Sequence, residues 1–244
     1  MLYYARTEAL RTFRNKRYII FVVAFPVMLY LLNANIYGEQ AMAGGLKANA
    51  YLMVSMAAYG AMASSMMSTA VPWATERQSG WLRQLQITPL PSWMIIMTKL
   101  GVALLLTLPS LLLVSLAAIL QQHVELSAGR WLGLLGVMWL GAIPFIALGL
   151  TFGSLLTADS AQPVSMICMF ALAIAGGLWF PVEIMGDTFR NIAEAMPSFR
   201  YADMGWSIIT GAGVPLTDVL VVAGWAVALG GAAAYAYRRA TVRA

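Results

Sequence analysis

The sequence predicts an all-α polytopic membrane protein with six transmembrane helices, and three observations carry that expectation. Of the 244 residues, 61% are hydrophobic and 10% are charged, and the mean hydropathy is +0.75. A soluble domain carries roughly 25% charged residues, so this chain cannot solvate a water-facing surface of ordinary size. Apolar runs of the roughly 20 residues needed to cross a bilayer recur along the chain and leave little for a separate soluble domain, so residues 1–244 read as one membrane domain. Basic residues gather in alternate connecting segments, as orientation of a multi-span chain requires.

Residues 1–17 hold Arg6, Arg11, Arg14, Lys16 and Arg17 against the single acid Glu8. Leu2, Ala5, Ala9 and Phe13 recur at helical spacing, which fits an amphipathic helix lying in the membrane surface with its basic face on anionic headgroups. The same charges also read as a topology signal. The first span is placed at 18–37, with Pro26 as a kink. Ala41-Met42-Ala43 mimics a signal-peptidase site, but the preceding apolar run exceeds the roughly 7–15 residues of a signal-peptide core, so it reads as a retained span.

The second span is placed at 50–73. It carries two rows of small residues, Gly60, Ser64 and Ser68 beside Ala57, Ala61, Ser65 and Thr69. Small residues four apart let helices approach closely in lipid. Met53, Met56, Met62, Met66 and Met67 decorate the same helix. The flexible thioether suits an adaptable contact surface, and equally suits ordinary packing or lipid contact.

The most polar internal stretch follows, over 74–91. Glu76, Arg77 and Arg83 stand among Gln78, Gln84 and Gln86, while Trp81, Leu82 and Leu85 form a narrow apolar stripe. Pro89 and Pro91 stop the helix. This reads as a short surface helix between two spans, with a loop that merely orients the protein as the plainer alternative. The third span, 94–120, is expected to be interrupted at Pro109, and Lys99 near its end can carry its ammonium to the interface on its long stem. A brief polar loop holds His123, Glu125 and Arg130. The fourth span, 131–156, shows Gly129/Gly133 and Gly149/Gly153 as close-packing pairs. After a turn at 157–162, the fifth span begins at Pro163, a favoured first helical residue, and runs to 180, weakened at its end by Gly176 and Gly177.

Between 181 and 215 two short helices are expected. Asp187 caps the first, whose stripe is Phe189, Ile192, Ala193 and Met196, and Pro197 ends it. The second covers 201–209 and closes at Gly211. Neither is long enough to span, so 182–214 reads as a helical hairpin at the outer face. The sixth span is 216–237, followed by Arg238, Arg239 and Arg243.

With both ends inside, 11 of the 15 Lys and Arg residues fall on inner segments and 4, namely Lys47, Arg130, Arg190 and Arg200, on outer ones. The positive-inside rule favours this orientation in the cytoplasmic membrane, and it accounts for the net charge of +5 without nucleic acid. None of the three lysines is followed by Ser or Thr, so the chain lacks a phosphate-binding G-x-x-x-x-G-K-[ST] loop. With a single histidine, His123, and a single cysteine, Cys168, the sequence offers no metal set, no nucleophile–base pair and no internal disulfide. Span interiors hold almost no ionisable residues, Lys99 and Asp218 lying near predicted ends, whereas ion-coupled carriers usually show some. The energy for any uphill movement should then come from a partner.

Glu76-Arg77, Gly80, a following hydrophobe, Arg83, Leu85, Thr88-Pro89-Leu90 and Lys99 resemble the cytoplasmic loop of ABC type 2 exporter permeases. The span order and the hairpin before the last span extend the resemblance over nearly the whole chain. It implies a fold with an N-terminal connecting helix, a cytoplasmic coupling helix and an outer hairpin. It also implies two copies of an ATPase subunit carrying ATP and Mg²⁺, with no cofactor bound by this chain, and a second permease chain, identical or related. Carried over by motif, Glu76 and Arg77 would be polar anchors, Gly80 a close-approach point, Arg83 a further polar contact, and Trp81, Leu82 and Leu85 the docking ridge. Met56, Tyr59, Ala63 and Met66 of the second span and Met169 of the fifth are the candidate substrate-pathway residues, for a hydrophobic drug, antibiotic or related natural product. Two other classes stay open: a membrane anchor that recruits a cytoplasmic partner without transport, and an autonomous channel or secondary carrier.

Overall fold

The computed structural model describes residues 20–38, 40, 47–81, 92–180, 182 and 186–242. The expected N-terminal helix at 1–17, together with Leu82, Arg83 and Leu85, lies outside these residues. A π-helical turn, Ile20–Ala24, leads into α1 (Phe25–Tyr37), and Pro26 stands in the first turn after the change of register. Next come α2 (Ala48–Gln78), α3 (Ser92–Gln122), α4 (Ala128–Leu140), α5 (Ile143–Leu155) and α6 (Ala158–Ala175). Two short helices, α7 (Asp187–Ala195) and α8 (Pro197–Thr210), precede the long α9 (Leu216–Val242).

Among the described residues, four helical stretches are long and apolar enough to cross a membrane: Met94–Gln122, Ala128–Leu155, Ala158–Ala175 and Leu216–Tyr237; Val22–Tyr37 is a shorter apolar one. At 31 residues α2 spans about 46 Å, enough to cross, but it is less apolar than those four. Its position explains why. It is the central column, packed against α1, α3, α5, α6 and α8, and it is buried along nearly its whole length. A helix enclosed by other helices needs no lipid-facing apolar surface. Its hydroxyls are satisfied instead by backbone carbonyls: Ser55, Ser65 and Thr69 donate to the carbonyls of Tyr51, Ala61 and Ser65, and Ser64 donates to Leu106 O on α3 at 2.6 Å.

The glycine pairs behave differently from one another. A Cβ on Gly149 would lie 2.0 Å from Thr69 Oγ1, and one on Gly153 would lie 2.6 Å from the Ala70 carbonyl, so this pair sets the close approach of α5 to α2. Gly129 has open space beside it and Gly133 only ordinary contact with Ile208 at 3.8 Å, so the expectation of close packing at that pair is corrected. Spacing alone does not tell a glycine what it faces.

Three boundaries also differ from expectation. Pro109 does not interrupt α3, which runs through it; on either side of Leu105, whose carbonyl loses its helical donor, Trp139 Nε1 donates to Leu104 O at 2.8 Å and Ser64 to Leu106 O. The expected fourth span is divided at Gly141–Ala142, where the Tyr201 ring lies 2.7 Å from a Cβ on Gly141 and Pro144 removes an amide donor from the first turn of α5. The helix α6 begins at Ala158, five residues before Pro163, because the Thr157 side chain accepts from the Ser160 amide and caps it there.

The α7–α8 pair sits at the end of the bundle opposite Gln78, with α8 sunk among the longer helices and α7 largely exposed. Tyr201 donates to Met138 O at 2.6 Å, Ser198 to Leu172 O at 2.7 Å, and Trp225 of α9 to Ala195 O at 3.1 Å. Tyr51 of α2 stacks on Trp206 with ring centroids 4.6 Å apart. Asp187 is the first residue of α7 and Gly186, at φ 77°, is its cap, so the expected cap shifts by one. Gly211, at φ 88°, closes α8 in the left-handed conformation that glycine adopts without strain.

Candidate functional site

The last turns of α2 were expected to leave the core at residue 73 and start a separate surface helix. Instead α2 continues unbroken through Pro72 to Gln78, so Glu76 and Arg77 belong to the central column itself. This end of α2 binds four neighbours. Trp73 Nε1 donates to Ser154 Oγ of α5 at 2.8 Å, and the Trp73 ring packs against Tyr237 of α9 at 5.6 Å. Arg77 Nη2 donates to the carbonyl of Leu156 at 2.6 Å, at the end of α5. Gln78 Oε1 accepts from the Ala158 amide, the first of α6, at 3.1 Å. The turn between α5 and α6 is thus held by two side chains of α2, each satisfying a backbone group that a helix end leaves unpaired.

The fourth neighbour is α3. Glu76 is 5% exposed and Lys99 3% exposed, and Lys99 Nζ meets Glu76 Oε1 at 2.5 Å. The expectation that Lys99 extends to the interface is corrected: its ammonium turns inward onto the carboxylate of the neighbouring helix. A charge removed from water requires a partner, and here each of the two supplies the other's. Glu76 is accordingly not a solvated loop charge. Beyond it the helix ends at Ser79, Gly80 turns the chain at φ 76° with open space around its α-carbon, and Trp81 emerges 41% exposed. The chain then enters 82–91.

The other candidates lie deeper. Met56, Tyr59, Ala63 and Met66 are all buried on α2, and Met169 is buried on α6 in the same apolar cluster. Tyr59 also sits among Phe25, Phe170 and Trp179, with ring centroids 5.7–6.5 Å away. The structure brings these five residues together as packed core. A cavity of about 290 Å³ lies elsewhere, lined by Trp73, Met97, Leu100, Ala147, Gly230 and Tyr237 among others.

Sequence reasoning marked Glu76 and Lys99 separately and missed that they pair. The available signal was two opposite charges at the same end of consecutive antiparallel helices. It missed Trp73, Ser154 and Gln78 as ties altogether. Trp73→Phe keeps the ring and removes the hydrogen bond to Ser154, and should lower stability by about 1 kcal/mol. A thermal unfolding series in detergent checks this.

The sequence profile of the ABC-2 family transporter proteins matches residues 40–235. The chain belongs to that family. A relative from Bacillus subtilis (strain 168), named "Putative transport permease YvfS", is 25% identical over 222 residues, which cover 88% of this chain and 87% of that protein. This ABC-2 chain is therefore a multi-pass membrane permease, the membrane subunit of an ABC transporter. The matched region takes in the α2–α3 end with Glu76 and Lys99, and also the α7–α8 pair.

Proposed function

We propose that this permease is half of the translocation unit of an ATP-driven exporter, and that the α2–α3 end carrying Glu76 and Lys99 is where the ATPase acts on it. The observation that carries this reading is the buried Glu76–Lys99 pair, because it joins the two helices that flank 82–91. A force applied to the segment after Trp81 is delivered to α2 and α3 together through that pair, and to the α5–α6 turn through Arg77 and Gln78. Four helices then answer as one body, which is what a rigid-body switch between inward and outward access requires. Gly80, Trp81, Leu82, Arg83 and Leu85 would supply the docking surface, with Trp81 as its exposed apolar anchor.

Six membrane crossings follow when α1 and α2 are counted with the four long apolar stretches, and α4 and α5 form one crossing. The positive-inside bias then puts both termini and the Glu76 end in the cytoplasm of a cell membrane, with α7–α8 outside. Two such permeases, identical or related, would sit over two ATPase subunits, which hold the ATP and Mg²⁺. The methionine-rich core around Met56, Met66 and Met169 favours a hydrophobic drug, antibiotic or related natural product as cargo.

Expression with the neighbouring genes, extraction in mild detergent and determination of the mass of the complex test this reading. A complex of two permeases with two ATPase chains is the expected result. A permease that stays alone while the neighbouring ATPase is demonstrably present contradicts it and favours a non-transporting anchor or an autonomous carrier.

A further inference from the structure

The cavity of about 290 Å³ beside Trp73 has no part in the coupling scheme. Three of its walls, α3, α5 and α9, belong to stretches apolar enough to cross a membrane. Burial separates its floor from its rim. Trp73 of α2 and Ala147 and Ser154 of α5 are buried, whereas Met97 of α3 is 53% exposed and Ala234 of α9 is exposed. The space is thus a cleft that opens sideways between α3 and α9, at a depth where the medium outside is bilayer hydrocarbon. Of its lining residues only Trp73, Ser154 and Tyr237 carry a nitrogen or oxygen in the side chain, and Trp73 Nε1 and Ser154 Oγ are bonded to each other at 2.8 Å. A polar ligand would lose its hydration there and gain few hydrogen bonds in return.

The cleft has a cause in the sequence. Ala226, Gly230, Ala233 and Ala234 recur at i, i+4, i+7 and i+8 along α9, so the wall it presents carries at most a methyl group per residue. A Cβ on Gly230 would meet nothing within 4 Å. In lipid no hydrophobic drive closes such a gap between helices, and wall atoms without neighbours forfeit their dispersion contacts. Hydrocarbon entering from the bilayer restores those contacts. At one end the cleft reaches Tyr237, whose ring packs against Trp73 at 5.6 Å. There the sequence of α9 turns from apolar to basic, with Arg238 and Arg239 directly after Tyr237. Basic residues just beyond a span attract anionic headgroups, and tyrosine and tryptophan are enriched at that same level.

We propose that this cleft holds one acyl chain of an anionic phospholipid, with the headgroup at the Arg238–Arg239 end. A neighbouring protein helix, ~10 Å across with its side chains, is too broad to enter a space of this size, whereas a single acyl chain is not. The seated chain would brace α3 against α9 next to the buried ion pair, since Lys99 lies between the lining residues Met97 and Leu100 on α3 and Trp73 lies one turn before Glu76 on α2. On the orientation proposed above, the lipid comes from the inner leaflet. The site itself rests on the shape and chemistry of the cleft and requires neither that orientation nor the ATPase.

The test is native mass spectrometry of the full chain, stripped of lipid in detergent and titrated with dioleoyl phosphatidylglycerol or with dioleoyl phosphatidylcholine. The unaltered permease should retain one phosphatidylglycerol per chain, and should hold it more tightly than the choline lipid with the same chains. Gly230→Leu fills the cleft and should weaken retention about tenfold or more. Gly231→Leu, also beside open space but not a lining residue, should retain lipid as the parent does. Replacing Arg238 and Arg239 with serine should erase the preference for phosphatidylglycerol. Added phosphatidylglycerol should raise the Tm of the parent and of Gly231→Leu, but not that of Gly230→Leu. Ala234→Leu, at the exposed rim, serves as the cleft-filling change if Gly230→Leu does not fold. A parent that retains no saturable lipid, or equal retention in the cleft-filling variants, overturns the proposal. Equal affinity for the two lipids overturns the anionic assignment. Cleft-filling variants that lose a dimer and no lipid give the face to a second chain and overturn it as well. None of these outcomes bears on whether the permease binds an ATPase, so the two readings fail separately.

Discussion

Replacing Glu76 with alanine takes from the buried Lys99 ammonium the carboxylate it meets, and the permease is expected to lose about 3–5 kcal/mol of stability, the usual consequence of breaking a buried pair from one side. The cost is that of a buried charge losing the opposite charge beside it, at a site where Lys99 is 3% exposed and water does not replace the carboxylate. The double variant Glu76→Ala, Lys99→Met follows from the same argument: with both charges gone and an apolar chain of similar length in place of the lysine, most of the stability should return. Fluorescence-detected size exclusion after graded heating measures both. The pair of variants also separates stability from coupling. If the ion pair serves to move α2 and α3 together, the double variant should be well folded and bind the ATPase, yet hydrolyse ATP without moving substrate. A single variant as stable as the parent would show that Lys99 finds water or another partner, and the tie between α2 and α3 would lose its basis.

The second large effect is expected at Gly153. A Cβ there would stand 2.6 Å from the Ala70 carbonyl and 2.9 Å from Trp73 Cβ, both on α2. Neither atom is the free end of a flexible side chain, so Gly153→Leu must push α5 away from the central column. Overpacking of this kind costs ~1–3 kcal/mol for modest insertions, and a whole isobutyl group against backbone belongs at or above the upper end. Separation of α5 from α2 also removes the bond between Trp73 and Ser154 and the grip of Arg77 on Leu156 O, so the Glu76 end should loosen with it. Loss of monodisperse protein is the expected readout. The control is Gly129→Leu, which faces open space and should be tolerated.

These two glycines show which part of the molecule was legible. Both pairs present the same four-residue spacing, but the spacing names no partner, and only Gly149 and Gly153 happen to face α2. Long apolar runs were readable because bilayer thickness sets their length. A helix does cover the expected second span, but the expected boundary at residue 73 came too early, because polarity was read as exposure. In the structure the polar turn of Glu76 and Arg77 is enclosed by α3 and the α5–α6 turn. Lys99 was misplaced for the same reason. Its pairing with a carboxylate 23 residues away depends on how two helices align, and no local pattern encodes that. Asp218 was marked as a charge near a span end, but its burial depends on α8 folding back against α9. Pro109 was read by its usual effect on a helix, whereas α3 runs through it, with donors from α2 and α4 on the neighbouring carbonyls of Leu106 and Leu104.

Whether the Glu76 end meets an ATPase can be measured most directly at Trp81, the exposed residue three positions past the end of α2. In a Cys168→Ser background, Trp81→Cys should form a disulfide or short cross-link with a co-purifying ATPase chain, with a yield that changes when ATP is added. A cysteine placed at Arg190, in α7 at the opposite end, should give none. Cross-linking at Trp81 but not at Arg190 is the result this account predicts. Failure at Trp81 in a complex that nonetheless co-purifies, or cross-linking from Arg190 instead, would contradict it and move the site of coupling to another part of the chain.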